Sequence, residues 1–246
     1  MLDIAAVSAC ADRPHNEDYL KYLKTAGADS YLFALADGLG GHGKGEVASN
    51  LCVESCCATF QRNPAASAET FFQNAFETAQ ANLLGQQERE NAQNRMKTTL
   101  VLCTVHGTKA AWAHIGDSRL YIFRQNKLLL QTADHSVPQM LVASGEIKPS
   151  QIRHHEDRNK LLRAMGIHTE TLRYQIDETD FDLQPGDAVL LCSDGFWEWI
   201  PEKKMQKYLK KCATAQQALD AMIAYICKKG KGKNMDNYSA ILILNR

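Results

Sequence analysis

The sequence predicts an α+β fold in which two antiparallel sheets pack together with helices on the outside. Three observations carry that expectation. Strand-like and helix-like stretches come in blocks rather than in strict alternation, which disfavours a parallel βαβ sheet. The middle of the chain reads as a meander of short strands joined by tight turns such as His106-Gly107-Thr108. Two long helical patterns interrupt the strands, and two more precede the last one. With no Pro/Gly/Ser linker, internal repeat or low-complexity tract, the 246 residues are expected to form one domain, 1–246.

Residues 2–10, 18–24 and 30–36 read as strands. From Gly43 to about Phe60 the pattern turns helical, with Val47, Ala48, Leu51 and Cys52 on one face. A second helix is expected from about Ala66 to Gln87, where Phe71, Phe72, Ala75, Phe76, Ala79 and Leu83 recur at helical spacing; that stripe is core packing. After a polar stretch, Gln86 to Lys97, the meander is read as strands at 98–106, 109–116, 119–124 and 127–130. The segment 137–164 is mixed and partly helical, and rich in Arg153, His154, His155 and Arg158. Strands follow at 171–177 and 187–192, helices near 201–211 and 214–228, and a closing strand from Ser239 to Leu244.

Lys+Arg and Asp+Glu are both 28, so the net charge is zero and nothing points to nucleic acid or an anionic membrane as the main partner. No stretch approaches a membrane span, and Met1-Leu-Asp-Ile-Ala5 lacks the layout of a signal peptide, so a cytoplasmic protein is expected. Of the eight cysteines, Cys52, Cys56 and Cys57 lie on a helix, and Cys103 and Cys192 within apolar strands. With no Cys-x-x-Cys pair, they read as buried small hydrophobes rather than disulfides or metal ligands.

The chemistry concentrates in acids fastened to turns: Asp37-Gly38, Asp117-Ser118, Asp194-Gly195 and Asp236-Asn237, with Asn16-Glu17-Asp18 upstream. Three of them follow apolar runs, Tyr31 to Ala36, Ala111 to Ile115 and Ala188 to Cys192. A carboxylate at the end of a buried strand is costly to desolvate unless something positive meets it. Singly, each Asp-Gly is an ordinary turn signal. Their recurrence, with few basic neighbours, points to divalent cations, and an all-oxygen set favours Mg²⁺ or Mn²⁺ over zinc. A two-metal hydrolase is the reading that results.

Taken with their neighbours, these residues resemble a known family. Ala36-Asp-Gly-Leu-Gly-Gly-His-Gly-Lys-Gly-Glu-Val-Ala-Ser49 is similar to the signature of the metal-dependent protein phosphatases (PPM, or type 2C serine/threonine phosphatases) in their bacterial form. Arg13-Pro-His-Asn-Glu-Asp18, Thr98-Thr-Leu100, Gly116-Asp-Ser-Arg119 and Thr132-Ala-Asp-His-Ser136 follow in the family's order. So do Leu162-Arg-Ala-Met-Gly166, Leu191-Cys-Ser-Asp-Gly195 and Asp236-Asn-Tyr-Ser239, and the match spans about residues 4 to 244.

The resemblance implies a four-layer α-β-β-α sandwich with two Mn²⁺ or Mg²⁺ ions between its sheets. It implies that Asp37 bridges both ions, that the Gly38 carbonyl binds one, and that Asp194 and Asp236 hold the other. Glu17 and Asp18 would act through metal-bound waters, Asp117 with Asp194 would take a third, weaker ion, and Arg13 would grip the substrate phosphate. The implied reaction is hydrolysis of phosphoserine or phosphothreonine by metal-activated water, in opposition to a bacterial Ser/Thr kinase. Arg13 suits its role because a planar fork meets two phosphoryl oxygens. The segment from about Val137 to Met165 corresponds to the family's flap beside the site and is the expected seat of substrate choice. Partners are then phosphorylated proteins, with no nucleic acid and no membrane, and a monomer is the default.

Two positions depart from the family pattern. Leu39 stands where animal members carry a histidine often proposed as general acid, and Cys10 where a glycine is common. A catalytically silent phosphoprotein-binding scaffold and a two-metal phosphodiesterase or nuclease remain as other classes. The complete set of expected ligands weighs against the first, and the zero net charge against the second.

Overall fold

Alternation along the strands decides which way each sheet faces. In the computed structural model, which describes residues 1–25, 29–39, 44–93, 95–168 and 172–246, the third strand is the clearest case. On this strand, β3 (Ser30–Leu39), Leu32, Ala34 and Ala36 face a helical layer, while Tyr31, Phe33 and Leu35 face the opposite sheet. The two-residue period continues to Asp37, which therefore lies on the side between the sheets, two residues before the end of the strand.

Ahead of β3 lie β1 (Leu2–Ala9) and β2 (Asp18–Lys24). After it come α1 (Gly45–Arg62) and α2 (Ala68–Glu90), then β4 (Lys97–Thr98), β5 (Leu100–His106), β6 (Lys109–Ile115), β7 (Arg119–Arg124) and β8 (Lys127–Gln131). A short α3 (Val137–Ala143) and a 3-10 helix (Pro149–His154) precede β9 (Gln175–Asp182) and β10 (Ala188–Cys192). One helical turn, α4 (Asp194–Trp197), leads to α5 (Glu202–Lys211), α6 (Ala215–Gly230) and β11 (Tyr238–Asn245).

One sheet has the order β1-β11-β10-β7-β8, the other β2-β3-β5-β6-β9 with β4 on β3, and all the pairings are antiparallel. Between the sheets lies a core of Phe33, Leu35, Val101, Trp112, Ile122 and Leu191. α1 and α2 cover the outside of one sheet, and α5 and α6 the other, giving the four-layer α-β-β-α sandwich. Cap chemistry sets several helix ends. Ser67 accepts the Thr70 N–H at the start of α2, and Asn91 closes it in the left-handed region at φ 49°. The Thr214 hydroxyl accepts the Gln217 N–H at 3.1 Å to start α6.

One strand lies elsewhere than expected. The reading 171–177 is replaced by Gln175–Asp182, with residue 171 outside the described residues. Leu172 and Tyr174 pack instead on the α2 layer, where the Tyr174 ring stacks on Phe76 with centroids 4.3 Å apart. The acidic run that forms β9 is an edge strand with irregular register, and Lys109 offsets its charge by pairing with Asp180 and Asp182. Gly40, Gly41, His42 and Gly43 also lie outside the described residues, so the expected helix start at Gly43 is not described; α1 is seen from Gly45.

Five cysteines are buried as expected, and burial pushes the Cys52, Cys56, Cys57, Cys103 and Cys192 thiols up, which makes them inert. Cys10 and Cys227 are exposed. Among the described residues no helix is long and apolar enough to cross a membrane.

Candidate metal centre

Strand register brings the acids together. Asp18 at the start of β2 is the cross-strand partner of Asp37 near the end of β3. Leu20, two residues on, packs against the core between the sheets, so Asp18 shares that inner face. From the other sheet, the Ser193 hydroxyl at the end of β10 donates to Asp18 Oδ2 at 2.7 Å and accepts the Ser239 N–H at 2.9 Å. Asp194 follows as the first residue of α4.

The backbone around Asp37 is clamped. Its N–H donates to Thr99 Oγ1 at 2.9 Å, and its carbonyl accepts the Thr98 hydroxyl at 2.8 Å. Thr99 Oγ1 in turn lies 2.7 Å from the Ser118 hydroxyl, which links the Asp37 and Asp117 turns. The Asp117 carbonyl accepts the Trp197 indole N–H at 3.0 Å. Gly38 lies against the next loop: a β-carbon there would stand 2.4 Å from Gly45 backbone atoms and 2.7 Å from the Glu17 carbonyl.

Asn237 secures the N-terminal loop. Its Oδ1 accepts the Glu17 N–H at 2.8 Å, and its Nδ2 donates to the Cys10 and His15 carbonyls at 3.0 and 2.9 Å. That places Arg13 beside Asp236, with Nη2 donating to Oδ2 at 2.9 Å. The result is a cleft of about 660 Å³ whose lining includes Arg13, Glu17, Asp37, Gly38, Asp117, Asp194 and Asp236. Asp18 is buried outside this lining, paired across the sheet with Asp37.

So much negative charge in one enclosure perturbs its own ionisation. Burial, then the charges of Asp18, Asp194, Asp117 and Asp236, hold Asp37 well above the ordinary carboxylate range. Burial, Asp117 and Glu198 do the same to Asp194. Asp117 is pushed up to about 7 by burial and then by Asp134, against the lowering pull of Arg119. Burial lifts Asp18 to about 6 despite the Ser193 bond. Burial and then Glu46 raise Glu17.

The donor set fits hard divalent cations. It consists of carboxylate oxygens, and Asp18 Oδ1 is a buried atom with no hydrogen-bond partner. The acids stand close enough to raise one another's pKa, and Asp236 is turned to Arg13. Among the described residues no three His, Cys, Asp or Glu side chains already converge on one ion position.

Some contacts around the cleft cannot be read from local spacing. Arg119 grips Asp134 through two 2.7 Å bonds and lies over the Trp197 ring at 3.5 Å, supporting the indole that holds Asp117. Glu198, an ion-pair partner of Arg158, contributes charge to Asp194. A long-range partner such as Asp134 for Arg119 is not written in local spacing, although both residues sit inside the motifs quoted above. Asn159 and Leu161 from segment 137–165 reach the cleft.

A two-sheet sandwich with a carboxylate-lined cleft fits the class of metal-dependent hydrolases. The chain belongs to the protein phosphatase 2C family, whose model, described as "Protein phosphatase 2C", matches residues 8–235. It is 30% identical over 235 residues to the serine/threonine phosphatase stp of Listeria monocytogenes, spanning 94% of this chain and 90% of that protein. It is 31% identical over 210 residues to the serine/threonine protein phosphatase PstP of Mycobacterium tuberculosis, spanning 84% of this chain and 38% of that protein. Among solved structures, the M. tuberculosis PstP/Ppp phosphatase superposes with a TM-score of 0.84 at 28% identity, covering 100% of this chain and 99% of that one. The PstP catalytic domain in complex with two manganese ions gives 0.81 at 27% identity, covering 99% and 98%.

Proposed function

We propose that this chain is a metal-dependent serine/threonine protein phosphatase that removes phosphate from phosphoserine and phosphothreonine in proteins, opposing a bacterial Ser/Thr kinase. The observation that carries the reading is that Asp37, Asp117, Asp194 and Asp236 line one cleft beside Arg13, with Asp18 paired to Asp37 across β2 and β3, in a chain of this family. Asp37, Gly38, Asp194 and Asp236 are the proposed holders of two Mn²⁺ or Mg²⁺ ions, with Glu17 and Asp18 in support. Asp117 with Asp194 is proposed for a third. When bound, the ions supply the positive charge that activates water and offsets the phosphoryl oxygens.

The protein's own groups bind and orient the ester. Arg13 is 43% exposed on its side chain, so it can leave Asp236 and present its fork to the phosphoryl group. Leu39 lines the cleft and has no proton to give the departing alcohol. Asn159 and Leu161 wall the entrance, so substrate choice is assigned to segment 137–165.

The test is turnover of a phosphothreonine peptide and of single-stranded nucleic acid by wild type and Asp37→Asn in the presence of Mn²⁺. Peptide turnover by wild type alone, with equal circular dichroism for both proteins, is expected. Cleavage of nucleic acid instead, or an undiminished variant, overturns the reading.

A further inference from the structure

The net charge is zero, yet the charges are unevenly placed. Nine lysines and no arginine fall between residues 199 and 235, against only two carboxylates, Glu202 and Asp220. Lys203, Lys207 and Lys210 recur at i, i+4 and i+7, one stripe of α5, and all three are exposed. Lys211, Lys228, Lys229, Lys231 and Lys233 are exposed as well. Among the described residues none of the nine has a carboxylate within ion-pair distance, whereas Lys21, Lys44 and Lys160 each have one and Lys109 has two.

Aromatic rings organise this face. Lys204 from α5 and Lys229 from α6 both lie over Tyr225, at 5.7 and 5.8 Å, and Tyr208 packs edge-on against the same ring. Lys233 lies over Trp199 at 5.4 Å, three residues ahead of Asp236 on the loop that enters the cleft. At its other border, Glu202 at the start of α5 binds Arg153 of segment 137–165. The basic face therefore runs outward from the rim of the cleft.

We infer that the lysine face of α5 and α6 is a docking surface for an acidic segment of the phosphoprotein substrate, next to its phosphorylated residue. The inference rests on the phosphatase reading for its link to catalysis. A membrane surface fits less well, because such a face needs apolar anchors. The apolar residues of α5, Met205 and Leu209, are buried, and the exposed large hydrophobics among the described residues all lie on other elements. Nucleic acid fits less well too, since arginine, the usual reader of phosphates and base edges, is missing from the whole stretch. An α5 of ten residues is about 15 Å long, which an extended peptide covers in about five residues. The acidic run should therefore begin within a few residues of the phosphorylated one.

The test uses the full chain and its Lys203→Glu/Lys207→Glu/Lys210→Glu variant. Binding of a fluorescent, unphosphorylated glutamate-rich peptide is read by anisotropy. Turnover is read on p-nitrophenyl phosphate and on phosphothreonine peptides with acidic or neutral flanks. The expected result is about tenfold weaker peptide binding by the variant, the sum of three ordinary exposed ion pairs. An equal loss of its preference for the acidic-flanked substrate is expected, with p-nitrophenyl phosphate turnover unchanged. Equal binding and no flank preference in wild type would overturn the inference, as would capture by phosphatidylserine vesicles with no binding of the peptide. Loss of peptide binding in a protein that hydrolyses no phosphate ester would leave the docking face standing and remove the phosphatase reading.

Discussion

Replacing Asp18 by asparagine should stabilise the metal-free protein, and by an amount that depends on pH. Asp18 is only 6% exposed, one of its oxygens has no partner, and it faces Asp37 across the β2–β3 pair. Burial lifts its pKa from 3.8 to about 6. A carboxyl whose folded pKa is raised favours folding while it is protonated, below about pH 4, and loses that advantage as pH climbs through the folded value. Keeping the buried group ionised above pH 7 therefore costs about 3 kcal/mol. An amide can still accept the Ser193 hydroxyl and carries no charge. The difference between variant and wild type should therefore grow from near zero at pH 4 to about 3 kcal/mol at pH 8. In a chain of this size that is roughly 6 to 12 °C in melting temperature. The assay is calorimetric melting of metal-stripped protein from pH 4 to 8, repeated with Mn²⁺, which should raise wild type more than the variant. A variant that melts below wild type at pH 8, or a gap that ignores pH, would refute the reasoning.

Other perturbations follow from the same geometry. Gly38→Ala drives a β-carbon to 2.4 Å from Gly45 backbone atoms and should cost about 1 to 3 kcal/mol in urea unfolding, with weaker Mn²⁺ binding. Arg119→Ala leaves Asp134 buried without its bidentate partner and should cost about 3 to 5 kcal/mol. Pairing Arg119→Met with Asp134→Leu should recover most of that loss, which a double-mutant cycle will measure. Arg13→Ala should raise KM for a phosphopeptide while leaving the melting temperature within about 2 °C, since an exposed ion pair contributes little to stability.

Much of the fold could be read from the sequence because its strands are short and apolar on both faces, and because tight turns separate them. β3 shows what was legible: the apolar run Tyr31 to Ala36 marks the strand, and the two-residue period of a strand then places Asp37 on its inner face. β9 shows what was not. Its side chains are mostly acidic, and its place at the sheet edge depends on Lys109 and on pairing with β6, neither of which leaves a local period. The acids themselves were visible as turn residues after apolar runs. Their meeting depended on the β2–β3 register that pairs Asp18 with Asp37 and on sheet packing that brings Ser193 to Asp18, which no spacing records. The lysine face was hidden for another reason, since a balanced total charge conceals its uneven distribution.

The central claim is that the acidic cleft works only with divalent cations. Chelator-stripped protein, assayed on a phosphothreonine peptide while Mn²⁺ is titrated and its binding is followed by calorimetry, tests it most directly. The expected result is no turnover without metal, turnover rising with occupancy of the sites and persisting with okadaic acid, and loss of both binding and turnover in Asp194→Asn. Turnover by the stripped protein, or Mn²⁺ bound at full occupancy with no turnover, would contradict it.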